Sequence, residues 1–472
     1  MASSPMAALA AVIMLALLAA LLPPASALDL MTTAYDIAWK VNPSKGTMEG
    51  SATISLRNDG KESVSSVTLL LNRLLKVSAV EAEDGDAQFK QHVANDPSVD
   101  WASYPVNHVD VPFTAPLKPG QTTRLTLDYA GGLASGGEAI RYAKDQICEE
   151  LTILRMETYP YPYVAGSNPI TQSRFSYRLA INVPDGYVVA NGGIQGKTKR
   201  KDGWVTYRYS MPAPRWRLDV TIGKFDIFGS RSDGVVIYCL PKYRQGAEHL
   251  LSATKDVTAL FNGWWGPLKK ESSLALLQIP DGYGSQADWP AVILTADAFV
   301  DSNRAIGLSH EMAHFYNPAG DKDPARWMSE GFATFVQLLV ESHLLRTKLP
   351  DLMESMRQEA LAMSEKIPDM TKRPLDEYQH LGNTTPAYQV GSLAFHQLYL
   401  ILGEQTFHKA IAELYNTHGV KPCDGKEWLK TVERASGRPL DKWADDWVFT
   451  NGCWESIKSD RRLDEIAGRY SN

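Results

Sequence analysis

Two histidines four residues apart, His310 and His314, with Glu311 between them, constrain this chain more than any other feature. Side chains at i and i+4 lie on one face of a helix, so both imidazoles can share one metal ion if this stretch is helical. Glu311 then stands beside the metal, where it can act as a base on water. A catalytic zinc usually keeps three protein ligands and an open fourth position, so another donor is needed. After His314 the segment Phe315 to Pro324 carries two prolines, a glycine and three charged residues, which end the first helix. A second helix is expected from near Ala325, with Glu330 followed by an apolar run through Val336, Leu338, Leu339 and Val340. A carboxylate in such a segment needs a cation or donors to offset its desolvation. Glu330 is therefore the third expected ligand, and one zinc ion per chain the expected cofactor.

The first 27 residues read as a signal sequence, with an apolar run from Ala7 to Leu22 and a small-x-small end at Ala25-Ser26-Ala27. Pro23-Pro24 shortens that run below a comfortable membrane span. Cleavage before Leu28 and export, to a secreted or periplasmic location, are the expectation, with no stable membrane insertion afterwards. A net charge of −6 gives no footprint for nucleic acid, and the basic run Lys197 to Lys201 reads as a solvated hairpin tip. Cys148, Cys239, Cys423 and Cys453 lack metal-ligand spacing, so in an exported chain they suggest disulfides, with Cys423–Cys453 preferred and Cys148–Cys239 the weaker alternative.

Short alternating runs such as Ser51 to Leu56 and Thr123 to Tyr129, separated by turn residues, predict an antiparallel β-sandwich-like domain over 28–230. Past Ala247 the apolar period becomes helical, over 247–263, 302–317, 325–347, 350–366, 387–402, 404–418 and 424–436, with strands near 235–240, 273–278 and 292–294. The chain is thus expected to be α+β, its second domain spanning 231–472 with a short helical carboxy-terminal end.

These residues resemble the gluzincin metallopeptidases of aminopeptidase N and leukotriene hydrolase. His310-Glu311-Met312-Ala313-His314 and Ser329-Glu330-Gly331-Phe332-Ala333 look like the family's HExxH and its downstream NEGFA, and Ala387-Tyr388-Gln389-Val390-Gly391-Ser392 looks like the segment with its catalytic tyrosine. The resemblance implies a thermolysin-like catalytic domain, a peptide substrate, Glu311 as general base and Tyr388 as oxyanion donor. The connection from His314 to Glu330 is shorter than in familiar members. Where the exopeptidase motif GAMEN is expected stands Ser285-Gln286-Ala287-Asp288-Trp289-Pro290. Asp288 and Glu157 are the candidates for meeting a substrate ammonium. The missing motif keeps an internal-cleaving or non-peptide zinc hydrolase open beside an aminopeptidase. A non-catalytic binding protein is the third reading, which the intact Glu311 disfavours. Oligomeric state is not encoded in any of these features.

Overall fold

The protein is described by a computed structural model covering residues 30–95, 105–134, 145–166, 174–268, 273–281, 284–300, 307–317, 326–381, 385–419 and 423–470. The signal sequence and the expected helix break over 318–324 lie outside these residues.

Strand alternation builds the amino-terminal part. Along Leu30–Asn42, Tyr35, Ile37, Trp39 and Val41 are buried while the residues between them face outward. A period of two places one set of side chains on each face of a sheet. This strand pairs antiparallel with Thr47–Asn58 and parallel with Phe175–Pro184, at the centre of a nine-stranded sheet among the described residues. Smaller sheets of four and three strands accompany it. Ala52, Ile54, Leu56, Leu125 and Leu127 fill the same core. Two of its large aromatics satisfy their polar ends internally: Trp39 donates to the Tyr129 hydroxyl at 2.8 Å, and Tyr35 donates to the Pro162 carbonyl at 2.8 Å. A buried indole or phenol left without such a partner would cost folding free energy.

The second part opens with a five-stranded sheet in which Val235–Cys239, Leu274–Ile279 and Ala291–Thr295 run parallel, between edge strands Asp226–Ser230 and Gln286–Asp288. Asp226–Ser230 belongs to this sheet, so the change of sheet falls a few residues ahead of the expected boundary at 230. The expected helices form as Arg244–Trp265, Leu349–Lys366, Pro386–Leu402, Glu404–His418 and Gly425–Ser436. Their ends follow local chemistry. Asp424 caps Gly425–Ser436 by accepting the Glu427 N–H at 2.8 Å, and Gly437 at φ 69° closes it in the left-handed region. No described helix is long and apolar enough to cross a membrane.

The disulfide expectation is corrected. All four cysteines are thiols; Cys423 and Cys453 both lie in the helical core, and Cys148 Sγ donates to the Leu151 carbonyl at 3.3 Å. Cys239, Cys423 and Cys453 are buried in the apolar core, where each packs as a small hydrophobe, and Cys148 is half-buried. His396 and His408 are buried structural residues. His408 Nδ1 accepts from Trp265 Nε1 at 3.1 Å while its ring stacks on Trp264 at 4.6 Å, and burial holds its pKa down to about 4.

Candidate metal centre

His310 lies in the helix Gly307–Ala313, and His314 in the turn that continues from it, where the Phe315 and Tyr316 N–H groups still bond back to Met312 and Ala313. The i, i+4 spacing keeps the two rings on one side, with centroids 5.1 Å apart. Glu330 comes from a wide π-helical turn, Trp327–Gly331, that runs into the helix Phe332–Leu344. Such turns are uncommon and tend to occur at functional sites. Glu330 Oε2 stands 3.3 Å from His310 Nε2 and 3.6 Å from His314 Nε2. Ligand atoms of all three residues lie within 4.8 Å of one another.

The donor set fits zinc. Two imidazole nitrogens and one carboxylate oxygen converge on one point, and the outer atoms of Glu330 and His314 are held by protein. Glu330 Oε1, the oxygen turned from the histidines, accepts from Arg326 Nη1 at 3.2 Å. Ser329 Oγ is 3.4 Å from His314 Nδ1, the ring nitrogen away from the shared point. Outer partners of this kind fix ring orientation in metal sites. One zinc is expected here. Arg326 was not singled out from the sequence, although its i, i+4 spacing to Glu330 is a readable signal.

The charges respond to this crowding. Burial pushes the Glu330 carboxyl up, but His314, His310 and Arg326 outweigh it and draw the pKa down to about 2. Burial lowers His314 to about 4, with Glu330 opposing. Glu311 shares the helix but does not join the trio. Burial raises its carboxyl to about 7, against the pull of His310 and Arg217 and with a further push from Glu330. A carboxyl poised near neutrality can accept and return a proton.

Tyr388, in the helix Pro386–Leu402, stacks its ring parallel to that of His310, with centroids 6.0 Å apart. Burial and then the neighbouring Glu330 raise its hydroxyl far above the ordinary phenol range, so it is a donor at neutral pH. Two glycines bring it there. A Cβ on Gly331 would lie 2.6 Å from Gly391 Cα, and one on Gly391 would lie 2.8 Å from Gly331 Cα. The helix bearing Tyr388 therefore lies backbone to backbone against the turn bearing Glu330. The sequence displays both glycines, but their contact across the fold has no local signature.

Asp288 and Glu157 are placed around a shared arginine. Arg217 donates from both terminal nitrogens to Glu157, at 3.1 and 3.2 Å, and also pairs with Asp219. Asp288 Oδ2 accepts the Trp216 N–H at 3.1 Å and the Arg217 N–H at 3.4 Å, tying the edge strand Gln286–Asp288 to the β domain. Burial lifts the Asp288 carboxyl to about 6 despite Arg215, Arg174 and Arg217. Burial also works against the Glu157 charge, but Arg217 and Arg155 hold that carboxyl below its usual range. Arg217 thus connects these acids electrostatically to Glu311, and nothing in its sequence surroundings signalled that position. A cavity of about 510 Å³ opens beside His310, Glu311 and Tyr388; neither Asp288 nor Glu157 lines it.

No family model matches the chain. Among curated proteins, probable aminopeptidase 2 of Sulfurisphaera tokodaii is 21% identical over 310 residues, covering 60% of this chain and 39% of its own length. Human glutamyl aminopeptidase is 23% identical over 304 residues, covering 59% of this chain and 32% of its own. The chain therefore matches about a third of the length of these relatives. Among solved structures, an M1 zinc metallopeptidase from Deinococcus radiodurans superposes with a TM-score of 0.67 at 19% identity, over 90% of this chain and 95% of that one. This chain has the fold of the M1 zinc metallopeptidases. Its sheet-rich amino-terminal part and helical carboxy-terminal part correspond to that fold, and the aminopeptidase relatives agree with the gluzincin resemblance. A mutant of the Deinococcus protein was solved bound to a Tyr-Ser-Ala substrate.

Proposed function

We propose that the protein is an exported zinc aminopeptidase that hydrolyses peptides at His310, His314, Glu330, Glu311 and Tyr388. The observation that carries this reading is the convergence of His310, His314 and Glu330 within 4.8 Å beside a Glu311 that is not drawn into the trio. A purely structural site would have no use for that free carboxylate. When bound, zinc supplies Lewis-acid polarisation and lowers the pKa of water toward neutrality. Glu311 takes the proton of the attacking water and returns it to the leaving amine. The Tyr388 hydroxyl donates to the oxyanion that develops on the scissile carbonyl. The helical part then works as a thermolysin-like catalytic domain. Export rests on the amino-terminal apolar run and its small-x-small end.

Removal of the terminal residue rests on Asp288 and Glu157. An ammonium buried without an anion is costly, so these acids would meet it and blocked peptides would be rejected. Arg217 occupies both oxygens of Glu157, and Oδ2 of Asp288 accepts two backbone N–H groups, so the ammonium would have to share both acids with the partners they already have. Peptides with a free amino terminus are expected to show a kcat/KM about a hundredfold above that of their acetylated counterparts, with Asp288→Ala narrowing the gap. Equal turnover of a matched pair by the wild-type protein would overturn the exopeptidase reading and favour internal cleavage.

A further inference from the structure

The edge strand Gln286–Asp288 lies against the helix Gly307–Ala313, which carries His310 and Glu311, and Ser285 just ahead of the strand lines the cavity beside them. Among the described residues its sheet partner is Ala291–Thr295 alone, over three residue pairs. So short an edge strand is weakly held by its own ladder. The β domain anchors it at both ends. Beyond its last residue pair, Asp288 Oδ2 accepts the Trp216 and Arg217 N–H groups. Ahead of its first, Arg155 Nη1 donates to the Gly284 carbonyl at 3.2 Å.

The surroundings of Arg155 fix the direction of that bond. Its side chain and that of Asp145 are both 0% exposed. Arg155 Nε donates to Asp145 Oδ1 at 2.9 Å, and Nη2 lies 2.9 Å from the same oxygen. Asp145 Oδ2 in turn accepts the Arg155 N–H at 3.2 Å and the Thr158 hydroxyl at 3.0 Å. A buried ion pair is a poor source of stability, because desolvation offsets its attraction and a well-packed apolar pair often serves as well. What an apolar pair cannot supply is a donor of fixed direction at a carbonyl 129 residues further along the chain.

We infer that Arg155 is a positioning residue for substrate binding: oriented by Asp145, it holds Gly284 so that Ser285 and Asp288 keep their places relative to the helix of His310 and Glu311. The inference rests on the proposed peptide hydrolysis for its effect on turnover, but not for the anchor itself. Loss of the bond frees one end of the edge strand. Peptide binding then weakens, while the metal ligands, Glu311 and Tyr388 stand on other elements and keep their geometry.

Two variants test this in the zinc-loaded enzyme with Ala-Ala-Ala as substrate. Arg155→Lys keeps the positive charge beside Asp145 and loses the second arm toward Gly284. Asp145→Asn combined with Arg155→Met removes both charges, and the asparagine oxygen can still serve the N–H of residue 155 and the Thr158 hydroxyl. In each, KM is expected to rise about tenfold while kcat stays within about twofold of wild type. Amide exchange over the segment 284–288 is expected to quicken about tenfold, with exchange in the helix Gly307–Ala313 unchanged. A residue that served stability alone would lower Tm without moving KM against kcat. Wild-type exchange over 284–288 in the lysine variant would overturn the anchor. Faster exchange with an unchanged KM, or a loss confined to kcat, would overturn its part in substrate binding. Acetyl-Ala-Ala-Ala separates this inference from the proposed function. If the wild-type protein cuts it as fast as the free peptide, the aminopeptidase reading fails, while KM and exchange still decide the anchor. If no peptide is cut, the proposed function fails and the exchange rates decide the anchor by themselves.

Discussion

Glu311→Gln is expected to lower kcat/KM for peptide hydrolysis by about three orders of magnitude and to leave the zinc content unchanged. Glutamine keeps the size of the side chain and its helix position but can neither take a proton from water nor return one. Glu311 is buried and stands outside the cluster of three ligand atoms, so its loss should not disturb the metal. By contrast, His310→Ala removes a ligand, and both metal and activity should go. Metal analysis beside single-turnover rates separates the two outcomes. A glutamine variant that still hydrolyses peptides at a rate near wild type would remove Glu311 from the chemistry.

Gly331→Ala is expected to destabilise the protein by about 3 kcal/mol, seen as a fall in Tm of about 5 °C or more, and to reduce kcat as well. The added methyl would lie 2.6 Å from Gly391 Cα and 2.8 Å from its carbonyl carbon. Those are backbone atoms, so no rotamer change relieves the clash, and one helix must move. The turn that moves carries Glu330, and the helix opposite carries Tyr388. Stability and catalysis are therefore expected to fall together. Thermal unfolding and steady-state kinetics on one preparation check this, and a variant with wild-type Tm would show that the two helices are not in close contact.

Much of the site was legible because its signals are local. The His310, Glu311 and His314 spacing imposes one helix face, and the apolar period that surrounds Glu330 continues into the helix Phe332–Leu344. The amphipathic helices at Arg244–Trp265 and Leu349–Lys366 were visible for the same reason, since burial of one face writes a 3.6-residue period into the chain. What escaped depends on partners distant in sequence. The π-helical turn at Trp327–Gly331 uses residues that would equally suit an α-helix, and the packing of Gly331 on Gly391 has no trace near either glycine. Arg217 reads as an ordinary basic residue beside a strand until Glu157 and Asp219 are seen around it. Asp226–Ser230 continues the alternating pattern of the β domain but pairs with Val235–Cys239, because alternation specifies a strand and not the sheet that receives it.

Zinc titration of the metal-free protein tests the central assignment most directly. Chelation is expected to abolish hydrolysis, and stepwise return of zinc should restore it linearly up to about one equivalent per chain. The same titration on His314→Ala should show weak binding and no recovery. Full activity in the metal-free protein, or recovery that is unchanged by His314→Ala, would contradict a catalytic centre built on His310, His314 and Glu330.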